Sequence, residues 1–212
     1  MSVTTRNRVK FALAGDVLEW ANPLIPGHPH GELVRLAGVD PIGSALELCA
    51  GTGYAARLLA RAHPETRVYG LDISPEMVAV GRRKLAGEKL DNVELITGDA
   101  GALCFPDRSL DLVMSVFGLH ELPTEVRRRA VAESARVLRP GGRFITLDMD
   151  KPSGPGGLIF EAYLAVAEPR HARGVIGNGL TDLLTEVGFA IDSSTPASVW
   201  RPLQAITARA QV

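Results

Sequence analysis

The sequence predicts an α/β fold: a doubly wound, mainly parallel sheet of seven strands with an antiparallel hairpin at its C-terminal edge. Three observations carry that expectation. Short apolar runs alternate with helical stretches through most of the chain, the pattern of parallel strands joined by crossover helices. The run Leu46-Glu47-Leu48-Cys49-Ala50 breaks at Gly51 and Gly53 straight into the helical Tyr54-Ala55-Ala56-Arg57-Leu58-Leu59-Ala60. The chain also closes on two β-patterned segments near enough in sequence to pair with each other.

Taken in order, strands are expected at Ala45 to Cys49, Arg67 to Leu71, Val93 to Thr97, Leu110 to Val116 and Arg143 to Asp148. After the second strand, Ser74 can cap a helix, Pro75 fits its first position and Glu76 favours the positive end of its dipole. That helix is expected to run to about Leu85. Another spans Thr124 to Leu138, stopped by Arg139-Pro140-Gly141-Gly142. Lys151 to Gly157 is too rich in proline and glycine for regular structure, and Leu158 to Val166 reads as an apolar accessory helix. Leu180 to Val187 forms a helix ended by Gly188, and Phe189 to Asp192 with Pro202 to Ala208 make the hairpin. Residues 1–40, with short helical pieces at Asp16 to Trp20 and Glu32 to Leu36 around Asn22 to Gly27, read as a helical N-terminal cap. Residues 41–212 form the main domain, with an accessory substrate segment at 151–179.

A chain of 212 residues with 46% hydrophobic side chains can bury one large core. A net charge of −1 supplies no field to attract nucleic acid, so none is expected as a partner. The basic run Arg127-Arg128-Arg129 reads as a solvated helix face. The two cysteines, Cys49 and Cys104, lie in or beside apolar segments and support neither a disulfide framework nor a cysteine zinc site. His28 and His30 read as loop residues, and no metal is expected. No stretch approaches the roughly 18 apolar residues of a membrane span, so stable membrane insertion is not expected. The expectation is a cytoplasmic monomer or homodimer.

Gly51-Thr52-Gly53-Tyr54-Ala55-Ala56 satisfies the relaxed G-x-G-x-x-G/A pattern, in which glycines let backbone approach a ligand and the helix N-terminus faces it. Asp72, at the end of the second strand, can accept both ribose hydroxyls of an adenosine. That much fits NAD or S-adenosylmethionine equally. Glu47, a carboxylate inside a strand, needs donors, which a methionine ammonium or its supporting network would supply. Asp99, in Gly98-Asp99-Ala100, can accept from an adenine amino group. With the Arg136 to Gly142 turn and the terminal hairpin, these features favour S-adenosylmethionine.

From about Ser44 to Ala208 the chain resembles the class I S-adenosylmethionine-dependent methyltransferases. Glu47 to Gly53 matches their first motif, Gly70 to Met77 the second, Gly98 to Ala100 the third, and Asp111 to Phe117 the fourth. Cys49 departs from the glycine usual at its position and should crowd the turn slightly. The resemblance implies a Rossmann-like sheet, S-adenosyl-L-methionine as cofactor and a small-molecule acceptor methylated on carbon, oxygen or nitrogen. It places Glu47, Cys49, Ala50, Gly51, Gly53, Asp72, Ile73, Met77, Asp99, Ala100, Ser115 and Val116 around the cofactor. Phe117 to Pro123 and Asp148 to Pro152 resemble the ubiquinone and menaquinone biosynthesis C-methyltransferases and their small-molecule relatives. Two other readings stay open: an NAD(P)-dependent oxidoreductase, and a non-catalytic adenosylmethionine-binding regulatory protein.

Methyl transfer from a sulfonium requires alignment and exclusion of water more than strong catalytic side chains. His120, just after the fourth strand, is the candidate general base, since an imidazole near pKa 6.5 can take a proton from a hydroxyl, amine or activated carbon. It could instead cap or orient the helix that starts near Thr124. His171 and Tyr163 are secondary candidates. Trp20, Phe117, Phe160 and Tyr163 could line an apolar acceptor pocket or simply fill the core.

Overall fold

In the computed structural model, which describes residues 28–198 and 201–211, the apolar runs pair into one sheet. Its strands are β1 (Ser44–Leu48), β2 (Arg67–Asp72), β3 (Val93–Thr97), β4 (Leu110–Val116), β5 (Leu138–Met149), β6 (Phe189–Thr195) and β7 (Leu203–Ala210), in the order β3-β2-β1-β4-β5-β7-β6. Strands β1 to β5 pair in parallel, and β7 runs antiparallel to both β5 and β6. The strand order reverses between β1 and β4, the switch point beyond which open sheets bind ligands.

The helices are α1 (Pro29–Ala37), α2 (Tyr54–Ala62), α3 (Pro75–Glu88), α4 (Thr124–Val137), α5 (Gly156–Ala167) and α6 (Gly179–Val187). Ser74 caps α3 as expected, its Oγ accepting from Met77 N–H at 3.2 Å with Pro75 in the first turn. Gly188 ends α6 with φ 102°, a left-handed position that favours glycine. Of the expected cap, α1 is described; Asp16 to Trp20 and Asn22 to Gly27 lie outside the described residues. No helix among the described residues is long and apolar enough to cross a membrane.

Strand alternation divides the core. Leu46, Leu48, Val113 and Phe144 pack on one face with residues of α4, α5 and α6, while Ala45, Leu112, Met114 and Ile145 pack on the other with α1 and α2. Several boundaries differ from the sequence reading; α5, for one, starts at Gly156, inside the proline- and glycine-rich stretch expected to be irregular. Strand β5 starts at Leu138, directly after α4, because Leu138 pairs with Leu110 before the Arg139 to Gly142 stretch bulges out and pairing resumes at Arg143 with Leu112. The hairpin strands β6 and β7 extend beyond Asp192 and Ala208, held by pairs such as Thr195 with Ala205 and Phe189 with Ala210. Helix α3 continues past Leu85 to Glu88.

The basic run is not a solvated face throughout. Arg127 is 2% exposed and donates through Nη2 to the His171 carbonyl at 2.7 Å. At roughly 100° per residue, Arg127 falls on the same side of α4 as the buried Ala130, Val131 and Ser134, whereas Arg128 turns outward to pair with Glu186. His30 is likewise no loop residue: it sits in the first turn of α1, buried, its ring edge-on to Tyr54 at 5.0 Å and near Phe117 at 6.3 Å.

Candidate active site

The glycine turn is built from both of its flanks. Gly51 and Gly53 hold φ of 55° and 73°, conformations that cost a residue bearing a β-carbon. Asp72, at the end of β2, closes the turn: its Oδ2 accepts Gly51 N–H at 2.7 Å and its Oδ1 accepts Ser74 N–H at 2.8 Å. Burial pushes the Asp72 carboxyl up, and the N–H donors of Ser74, Gly51 and Ile73 pull partly against it. Glu47 lies 3% exposed on the α2 side of β1, where its Oε2 accepts Ala56 N–H at 2.8 Å and so ties the first turn of α2 to the strand. Arg57 braces the same turn from Nη1 to the Thr52 carbonyl at 3.0 Å. Met77 packs beneath, its Cε 3.1 Å from where a Gly51 β-carbon would sit.

Ala50 is buried and Ile73 is 43% exposed at the rim. Asp99 reaches this edge through Gly98, whose N–H bonds the Asp72 carbonyl at 2.9 Å. Its exposed carboxylate accepts Gly101 N–H at 2.8 Å, and Ala100 faces the core. These positions form one rim: Gly51, Gly53, Asp72, Ile73, Met77 and Asp99 converge beyond the ends of β1, β2 and β3.

The opposite wall comes from β4 and β5. Cys49 adopts φ 52°, the glycine-favouring region, consistent with the crowding expected there. Ser115 is fully buried, so it supports Gly118 from below, and Val116 is buried on the other face of β4. Phe117 also has positive φ, 53°, and its N–H bonds the Leu147 carbonyl at 2.9 Å.

His120, 5% exposed, donates or accepts at Nδ1 with Asp148 Oδ1 at 2.6 Å. Asp148 is fully buried, and its remaining bonds come from Leu119, His120 and Met149 N–H groups. In the neutral ring Asp148 accepts from Nδ1–H, which leaves the lone pair at Nε2, between Glu121 and Glu168. Burial alone would lower the His120 pKa, but Asp148, Glu121 and Glu168 together hold it above the ordinary value. Nε2 lies 3.9 Å from Glu121 Oε1 and 4.0 Å from Glu168 Oε2.

Of the secondary candidates, Tyr163 donates to Glu168, and His171 Nε2 lies 3.1 Å from the Glu121 carbonyl oxygen. Phe160 is a core residue, tilted against Tyr163 at 6.2 Å. Trp20 lies outside the described residues. Sequence reasoning missed Asp148 as the partner of His120, although a carboxylate inside an otherwise apolar strand signals that a donor must meet it. Glu168 left no such signal, because only the fold brings it to His120.

The side-chain-free turn, the helix N-terminus and Asp72 fit an adenosine, and the charge around Cys49 fits a cation. Burial and the carboxylates of Asp72, Asp148, Glu121 and Glu47 push the Cys49 thiol up. Residues 45–142 match the family described as Methyltransferase domain. That match covers the glycine turn, Asp72 and Asp99, and the residues there fit S-adenosyl-L-methionine as cofactor.

The chain is similar to the demethylmenaquinone methyltransferase of Listeria monocytogenes serotype 4a, 38% identical over 140 residues that make up 65% of this chain and 58% of that protein. It therefore spans less than two thirds of the length of the curated relatives it matches. Among solved structures, a SAM dependent methyltransferase from Aquifex aeolicus superposes with a TM-score of 0.64 at 19% identity, covering 85% of this chain and 89% of that one. The cyclase SpnF gives 0.71 at 22% identity, covering 85% and 79%. At those identities the likeness is one of fold.

Proposed function

We propose that this protein transfers a methyl group from S-adenosylmethionine to a small-molecule acceptor, with His120 as general base. The observation that carries the reading is the arrangement of carboxylates at this sheet edge: Asp72 closes the glycine turn through Gly51 and Ser74 N–H, Glu47 ties the start of α2, and Asp148 holds His120 with Glu121 beside it. Four carboxylates favour a ligand with a sulfonium and an ammonium, and repel the pyrophosphate of a nicotinamide dinucleotide. The cofactor, when bound, supplies a methyl carbon on an already activated leaving group.

The chain's own residues do the rest. Asp72 keeps free lone pairs for ribose hydroxyls while it fixes the turn. Glu47 holds the N-terminus of α2 in place beneath it. His120 Nε2 accepts the acceptor's proton, and Asp148 keeps the ring oriented and stabilises the imidazolium that results. The acceptor enters between this wall, the α1 cap with His30 edge-on to Tyr54, and the 151–179 segment, where α5 presents Tyr163.

The similarity to demethylmenaquinone methyltransferases supports a hydroxylated aromatic ring as acceptor, methylated on carbon. Transfer of labelled methyl from S-adenosylmethionine to a short-chain demethylnaphthoquinol tests this. Turnover that depends on His120 is the expected result. Cofactor binding with no transfer to any carbon, oxygen or nitrogen acceptor would instead favour a binding protein on the same fold.

A further inference from the structure

Glu168 is the polar group whose surroundings demand most explanation. Its side chain is 7% exposed, and its Oε2 is buried without a hydrogen-bond partner. A carboxylate oxygen in that position is costly unless a proton or a cation meets it. The nitrogen it faces, His120 Nε2, is 4.0 Å away, and Glu121 Oε1 lies 3.9 Å from the same nitrogen. Both separations exceed hydrogen-bond length. One ligand atom from each of His120, Glu121 and Glu168 can be chosen so that all lie within 4.8 Å of one another.

We propose that His120 Nε2, Glu121 Oε1 and Glu168 Oε2 bind one divalent transition-metal ion, with Zn2+ the best match. Tetrahedral bonds of about 2.1 Å place ligand atoms about 3.4 Å apart, so the histidine-to-carboxylate separations of 3.9 and 4.0 Å need close by about half an ångström. One imidazole and two carboxylates are a borderline donor set, suited to Zn2+ or Mn2+ and poorly suited to soft monovalent ions. The supporting contacts are those of a metal-binding histidine. Asp148 holds Nδ1 at 2.6 Å, which fixes the tautomer with its lone pair at Nε2, and Tyr163 donates to the other oxygen of Glu168. Three protein ligands leave a fourth position open.

The ion and a transferred proton compete for one lone pair. Metal therefore blocks methyl transfer competitively with the acceptor, a consequence that rests on His120 being the base, whereas the binding itself does not.

The test uses the full chain, purified with chelator and desalted, and titrated with Co2+ followed by Zn2+. The expected result is one saturable Co2+ site with a visible absorption band of four-coordinate type, displaced by Zn2+. Glu168→Gln should weaken uptake at least about tenfold while keeping the parent's metal-free melt and S-adenosylhomocysteine affinity. Should that variant lose its cooperative melt, Glu121→Gln, on a separate segment, decides by Co2+ uptake alone. Absence of saturable Co2+ uptake by the parent overturns the site, as does equal affinity in the folded variant. Absorbance reads the metal directly, so the site is tested even in a chain that transfers no methyl group.

Discussion

A β-carbon built on Gly118 would lie 2.6 Å from the Cβ of Cys49 and 2.8 Å from the Oγ of Ser115. The residue after β1 and the second residue after β4 approach this closely because Gly118 lacks a side chain. Cys49 meanwhile holds φ 52°, where a β-carbon costs about 1 to 2 kcal/mol. Gly118→Ala should therefore destabilise the fold by about 2 kcal/mol. Cys49→Gly in the same chain should recover part of that loss. Urea denaturation of the double-mutant cycle checks it, and strict additivity would contradict the contact.

Gly81 lies inside α3, where alanine is ordinarily favoured over glycine by about 1 kcal/mol. Here a β-carbon would sit 2.3 Å from the Thr52 carbonyl oxygen and 2.4 Å from Leu95 Cδ1. Backbone cannot yield as a flexible side chain can, so the clash should outweigh propensity. Gly81→Ala is expected to lower stability and weaken S-adenosylhomocysteine binding by displacing the Gly51 to Gly53 turn. A stabilised variant in thermal denaturation would show that α3 does not press on that turn.

His30 should make stability fall in mild acid. Burial lowers its pKa from 6.5 to about 4, so the folded chain binds fewer protons than the unfolded chain between those values. The contribution is fully present above about pH 6.5 and is lost as pH falls toward about 4, to a limit near 3 kcal/mol. His30→Phe retains an aromatic ring against Tyr54 and Phe117 and should remove this component of the melting profile. An unchanged acid limb in that variant would assign the loss to other groups.

His120→Gln should reduce turnover by about 10² to 10⁴ with S-adenosylhomocysteine affinity unchanged, the signature of a lost proton acceptor. Asp148→Asn should lower both turnover and melting temperature, because Asp148 also accepts the Leu119, His120 and Met149 N–H groups. Similar turnover in parent and His120→Gln would leave His120 a purely structural residue.

Local chemistry made the nucleoside side of the site readable in the sequence. Gly51 and Gly53 announce a turn, Ser74 and Pro75 announce a helix start, and Asp72 falls where a strand must end. Gly81 gives no such signal, since its role is a contact between α3 and a turn far away in sequence. Arg127 was misleading for the opposite reason: three consecutive arginines suggest solvent, yet helical rotation buries one of them. The acceptor side depends on Asp148 and Glu168 meeting His120 and its sequence neighbour Glu121, and only the crossing of β5 and the return of the chain after α5 bring those two there.

Titration of S-adenosylhomocysteine and NADH, separately, into the full chain tests the central claim most directly. Saturable one-site binding of S-adenosylhomocysteine is predicted, weakened by about 1.5 to 3 kcal/mol in Asp72→Ala through loss of charge-assisted hydrogen bonds, with no saturation by NADH. Saturable NADH binding without any response to S-adenosylhomocysteine would contradict it.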